Sequence, residues 1–274
     1  MINKRVELLF PILFKIGSFS IHTYGVAIAA AFLAGILLIR REAKRKEMNP
    51  DMAYDIVLFA LIGGIIGARV AYVLDNWNAF AANPAQIFAI WQGGLVFYGG
   101  FIGGALAIIS LLKIKKLPIG KVADIVAPSV ALGSAIGRLG CFSNGCCYGK
   151  ETSLPWGVTF TNPLSSARPL GVPLHPTQLY DFAYNLLIFG ILWGLRSRIK
   201  SDGLLFWIYM TMYGFFRFMI EFLRTNPEFY LGMSGSQVFS AVMFVAGLAV
   251  IFGYYFRRAQ HVGLRQNKRA VNGP

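Results

Sequence analysis

Tyr54-Asp55-Ile56-Val57-Leu58-Phe59-Ala60-Leu61-Ile62-Gly63-Gly64-Ile65-Ile66-Gly67-Ala68-Arg69-Val70-Ala71-Tyr72-Val73-Leu74 carries one acid near its start and one arginine near its end, with apolar or small residues elsewhere. At about 1.5 Å per helical residue it reaches roughly 30 Å, the thickness of a bilayer's hydrocarbon core. It therefore reads as a membrane-spanning helix. Six other stretches, approximately Ile21–Ile39, Gly94–Leu112, Lys121–Gly137, Thr177–Leu195, Leu204–Ile220 and Gln237–Phe256, have similar length and character. Asp124 and Pro128 make the fourth span, 121–137, the weakest of the seven.

The whole chain fits this reading. Of 274 residues, 56% are hydrophobic and 14% charged, and the mean hydropathy is +0.56. That excess excludes an aqueous globule. The first twenty residues hold only a short apolar run broken by Pro11, with no small-residue cleavage site, so no cleaved leader is expected. The formal charge of +14 comes from 26 Lys and Arg against 12 Asp and Glu. Most of the cations fall in alternate loops: Arg40 to Lys46, Lys113 to Lys121, Arg196 to Lys200, and Arg257 to Arg269 in the tail. The positive-inside rule makes that side cytoplasmic and puts the amino terminus outside. Lys4, Arg5 and Lys15 then belong to an amphipathic lead-in at the outer interface. Orientation accounts for the basic charge, so nucleic acid is not an expected partner; the lipid bilayer is.

Six cations are left over: Arg69, Arg138, Lys150, Arg168, Arg217 and Arg224. Counted along their spans, Arg69, Arg138 and Arg217 lie roughly 20–25 Å from the inner face. Ionisable groups in spans usually face a cavity or a partner, and three arginines at one depth suggest a shared anion. Tyr213, Arg217, Glu221 and Arg224 follow at intervals of four, four and three and so share one helix face, with Glu221 placed to orient Arg217. The span beginning His175-Pro176-Thr177-Gln178 turns its amide-rich end outward, which favours an anion at the same level. Glycines at 63, 64 and 67, at 99, 100, 103 and 104, and at 133, 137 and 140 read as close-packing faces between helices. Most aromatic residues near the outer ends read as interfacial belt. Tyr24 and Tyr98 stand beside glycines, where a phenol can reach a bound anion.

These residues carry a resemblance. Gly137-Arg138-Leu139-Gly140-Cys141-Phe142-Ser143-Asn144-Gly145-Cys146-Cys147-Tyr148-Gly149 is similar to the signature of bacterial prolipoprotein diacylglyceryl transferases. His22-Thr23-Tyr24-Gly25, Trp91-Gln92-Gly93-Gly94 running into Tyr98-Gly99-Gly100, His175 to Tyr180, and Tyr213 to Arg224 followed by Gly232-Met233-Ser234 and Gln237 resemble further family motifs, in the family's order. The resemblance spans nearly the whole chain. It implies transfer of the diacylglyceryl group of phosphatidylglycerol to the lipobox cysteine thiol in the signal peptide of a prolipoprotein, forming a thioether and releasing glycerol phosphate. It also implies a multi-pass protein of the bacterial cytoplasmic (inner) membrane with its site toward the outer face, and no cofactor. Arg138 and Arg217 match the family's essential arginines, with Tyr98 and Glu221 joining them as catalytic candidates. Tyr24, Asn144, Gly149, His175, Gln178, Tyr213, Arg224 and Arg69 complete the expected substrate-binding set.

The chain departs from the family at three positions. Tyr98 stands where histidine is common, and tyrosine, with a reference pKa of about 10, is a poor base and a better donor to phosphate. Cys141 and Cys146 stand where the signature usually has Asn and Glu. The three cysteines admit a disulfide with one thiol over, a zinc site completed by His175, a covalent nucleophile, or small apolar filling beneath the loop. Apolar filling is the expectation, with no metal. The fold expected is an all-α integral membrane protein of seven transmembrane helices forming a single catalytic domain over residues 1–274. Residues 138–175 form a small irregular outer cap, and the lipid enters sideways between helices. An anion transporter would show inverted repeats and polar groups reaching the inner face. A phosphatidylglycerol-binding relative without catalysis, which Tyr98 and the missing acid suggest, would bind the lipid and leave a lipobox peptide unchanged.

Overall fold

The computed structural model describes residues 11–17, 19–230 and 232–271. Lys4, Arg5 and most of the expected lead-in, with the matter of a leader, lie outside the described residues. Where that lead-in is described it is a β-hairpin: β1 (Ile12–Ile16) pairs antiparallel with β2 (Phe19–His22) and carries Lys15. Each of the seven apolar stretches falls mainly on a helix. In chain order come α1 (Thr23–Arg45), α2 (Met52–Asp75), a short α3 (Trp77–Ala82), α4 (Phe97–Ile114) and α5 (Ile119–Asn144). After one small strand pair follow α6 (Thr177–Leu195) and α7 (Leu204–Glu221), and after a second comes α8 (Gly235–Val271). Those pairs are β3 (Val158–Thr159) with β4 (Pro173–Leu174), and β5 (Glu228–Tyr230) with β6 (Met233–Ser234). Four helical segments, Thr23–Arg45, Met52–Asp75, Ile119–Asn144 and Gly235–Arg258, are long and apolar enough to cross a membrane, and Tyr98–Ile114 is a shorter apolar helix. Large side chains such as Leu33, Leu37, Ile66 and Val245 are more than half exposed, as lipid-facing positions are.

Where an expectation concerns boundaries, the structure moves several. Helix α5 runs unbroken through Pro128, and the charge of Asp124, which is almost fully buried, is met by Lys46 at 3.3 Å. Residues 138–144 are the last turns of α5, so the irregular segment begins at Gly145 instead of Arg138. Helix α7 ends at Glu221, which leaves Arg224 in the turn beyond it. The chain divides into two compact units, Met1–Gly35 with Val126–Pro274, and Ile36–Ile125.

In the second of these, α2 and α4 meet backbone to backbone. A Cβ on Gly67 would lie 2.3 Å from the Gly99 carbonyl oxygen, and one on Gly103 would lie 2.3 Å from that of Gly63. Only glycine permits this approach, and the gain is dispersion between main chains where lipid offers no hydrophobic drive. In the first unit, α6 turns a face of Thr177, Gln178, Asp181, Tyr184, Asn185, Ile188 and Leu192 inward at helical spacing. Its apolar half packs with Ala127 and Ala131 of α5 and Leu205 and Tyr209 of α7, and its polar half supplies the site.

Candidate active site

The helical end of α5 brings Arg138 toward the first turns of α6. Arg138 Nε lies 3.0 Å from Oδ2 of Asp181, whose side chain is wholly inaccessible. From the turn after α7, Arg224 approaches the same oxygen at 3.9 Å. Arg217 donates to Glu221 at 2.6 Å, one turn on, as the interval of four requires. Glu221 also accepts from Ser234 Oγ at 2.6 Å and from Asn226, and lies 3.8 Å from Arg224. Three guanidiniums therefore surround two buried carboxylates, and one positive charge is left over.

Several polar atoms here are sealed from solvent and make no hydrogen bond, although some face an opposite charge. Nε and Nη1 of Arg224, both carboxylate oxygens of Asp181, Oε1 of Gln178, the Tyr184 hydroxyl and Oδ1 of Asn185 make no hydrogen bond among the described residues. Native interiors rarely leave such groups unsatisfied, because each costs its desolvation. The Arg224 donors beside a cationic surplus suit an anion, and the acceptor oxygens suit hydroxyl groups carried by the same ligand.

The signature loop is clamped around this point. The Gln178 amide donates to the Cys146 carbonyl and the Thr177 hydroxyl to that of Cys147, each at 2.7 Å. Gly149 N–H donates to His175 O at 2.9 Å and Lys150 N–H to Leu223 O at 2.7 Å. A Cβ on Gly149 would stand 2.4 Å from the Leu223 oxygen, so the loop passes only as glycine. Asn144, at the end of α5, donates to Ser166 Oγ at 3.0 Å, and Tyr24 packs against Gly140. Tyr213 faces Tyr184 with ring centroids 6.0 Å apart. The His175 ring lies 3.4 Å from the Tyr180 hydroxyl.

Two expected members behave differently. Arg69 belongs to the second unit, where it is almost fully buried and its five N–H donors meet the carbonyls of Gln86, Ile87, Ala89, Gly93 and Gly94 at 2.6–3.4 Å. Its guanidinium also stands over the rings of Tyr72 and Phe80. A guanidinium has five donors, and all are taken. Shared depth alone therefore does not make it an anion-binding arginine. Tyr98 lies on the first turn of α4 in the same unit. Conversely, Asp181, the acid to which Arg138 and Arg224 turn, is absent from the sequence-derived set. A carboxylate in the first turns of a helix reads as an ordinary complement to the dipole. Only its place on the buried face, three residues after Gln178 and four before Asn185, marks it.

Comparison with known proteins identifies a family. The family described as prolipoprotein diacylglyceryl transferase matches residues 11–253. Curated relatives named phosphatidylglycerol–prolipoprotein diacylglyceryl transferase include one from Nostoc sp., 39% identical over 258 residues, covering 90% of both chains. One from Clostridium tetani is 38% identical over 90% of this chain and 99% of its own, and one from Geobacter sulfurreducens 35% over 88% and 93%.

Proposed function

This chain belongs to the prolipoprotein diacylglyceryl transferase family, and on that footing we propose that it moves the diacylglyceryl group of phosphatidylglycerol onto a lipobox cysteine of prolipoproteins, forming a thioether and releasing glycerol phosphate. The observation that carries the reading is the single surplus positive charge of Arg138, Arg217 and Arg224 over Asp181 and Glu221, joined to the buried, unpaired donors of Arg224. A phosphodiester brings one negative charge and the acceptor oxygens those donors lack. As the carbon–oxygen bond breaks, charge grows on the phosphate, where positioned guanidiniums stabilise the transition state more than the ground state.

In this reading Arg138 and Arg217 grip the phosphate, Asp181 and Glu221 aim them, and Arg224 completes the cradle. Tyr24, Asn144 and Tyr213 hold the glycerol in line. Gly149, His175 and Gln178 shape the loop beneath, and Arg69 stiffens the segment 84–94 instead of touching lipid. Seven helices cross the bacterial inner membrane with the amino terminus outside and the carboxyl terminus cytoplasmic. Gly145 to His175 caps the site on the outer face, where exported signal peptides present their lipobox.

Purified protein, phosphatidylglycerol and a lipobox peptide test this directly. The wild type shifts the peptide's gel mobility; Arg138→Ala leaves it unshifted while still inserting in the membrane. Full activity of that variant would refute the role of the arginine. Wild-type protein that binds the lipid but leaves the peptide unchanged would instead be a binding relative.

A further inference from the structure

We propose that Cys141, Cys146 and Cys147 form a three-sulfur seat for a zinc ion whose fourth position receives the acceptor thiol, a role that rests on the transfer reading above. The three Sγ atoms all lie within 4.8 Å of one another, and none is in a disulfide. A tetrahedral zinc with sulfur at about 2.3 Å spaces its ligands about 3.8 Å apart, within reach of small side-chain rotations. The seat is built by how α5 ends. Gly145 takes φ +72° after the last helical residue, Asn144, and Cys146 N–H returns to the Cys141 carbonyl at 3.1 Å. This closure of a helix by a left-handed glycine folds Cys146 and Cys147 back over Cys141. Cys147 itself sits at φ +63°, and the bonds from Gln178 and Thr177 hold both carbonyls in place.

Among the described residues, the metal-capable group consists of these three cysteines without His175. Three protein ligands and an open fourth position are the pattern of catalytic rather than structural zinc. The acceptor thiol binds the ion as thiolate and sheds its proton, as coordinating thiols do. Its sulfur electron pair forms the bond to the glycerol carbon while the carbon–oxygen bond to phosphate breaks. The departing pair stays on the phosphate oxygen, which takes up the shed proton. Zinc and its three thiolates end unchanged, and the reaction needs no separate side-chain base.

The test uses full-length protein purified under reducing conditions and loaded with Zn²⁺ or Co²⁺. One equivalent of zinc per chain is expected. Cobalt should show a thiolate charge-transfer band, and its visible bands should shift when the lipobox peptide is added and stay fixed with a serine-for-cysteine peptide. Cys141→Ser, Cys146→Ser and Cys147→Ser, each checked for helical content, should weaken zinc by more than about 100-fold. Unchanged zinc stoichiometry in these variants, or a disulfide among the three in active protein, overturns the site. Visible bands that ignore the peptide overturn the fourth-ligand role. Zinc binding with a peptide response but no lipid transfer would refute the activity and leave the site standing.

Discussion

Asp181 and Glu221 decide what the arginines can do. Each holds a guanidinium by a short contact within a buried pair, so orientation and charge are set together. Arg138→Lys and Arg217→Lys keep the charge but lose the planar fork, and each should lower kcat by about 10²–10³-fold, as loss of one positioned donor does. Asp181→Asn should cost about 10²-fold through misplacement of Arg138. Single-turnover transfer with labelled phosphatidylglycerol separates these from losses in lipid binding. In the loop, hydrogen bonds from Cys141 and Cys146, aided by Arg224 and Arg138, hold the Cys147 thiol below its ordinary range. The bond from Cys141 pulls Cys146 the same way, but its donation to Cys147 and its burial outweigh this and push it up. In reduced, metal-free protein near neutral pH, Cys147 should therefore be alkylated by iodoacetamide before Cys146, read by peptide mass spectrometry; the opposite order would refute the assignment. Arg138, Arg217 and Glu221 were legible because a motif and a helical interval mark them. The partners of Arg69 were not, since backbone carbonyls 17 to 25 residues further on leave no trace in side-chain pattern.

At the scale of elements, the glycine faces of α2 and α4 make a sharp comparison. A methyl group on Gly67 meets the Gly99 carbonyl at 2.3 Å, whereas one on Gly64 meets that of Gly100 at 3.5 Å, an ordinary contact. Gly67→Ala should destabilise the protein by about 1–3 kcal/mol, the usual cost of overpacking, and Gly64→Ala should be nearly neutral. Thermal unfolding in detergent measures both. Hydropathy located these helices, and small-residue spacing located their faces. Their ends were harder to read. Pro128 and Asp124 look like interruptions until Lys46 is brought beside Asp124, and the hairpin Ile12–His22 has too short an apolar run to distinguish a strand from an interfacial segment.

For the whole molecule, the sealed polar atoms without hydrogen bonds should make stability depend on the lipid. A ligand that pairs them stabilises the folded state by about 2.7 kcal/mol at a hundred times its dissociation constant. Phosphatidylglycerol should raise the unfolding temperature in detergent, and diacylglycerol, which has no phosphate, should not. Equal shifts from the two would refute a phosphate-centred site. Net charge and hydropathy told of a membrane protein without revealing this, because both are averages and the site is a local imbalance of one charge.

The bond from Lys150 to the Leu223 carbonyl has a consequence for biogenesis. It ties the signature loop to a residue made long afterwards, and Arg138 likewise awaits Asp181. During synthesis the early helices enter the bilayer with no working centre between them, and the centre closes only when the chain just past α7 arrives. A ribosome that stops short of Leu223 would deliver an inserted but inert polypeptide, so quality control that senses insertion alone would pass it.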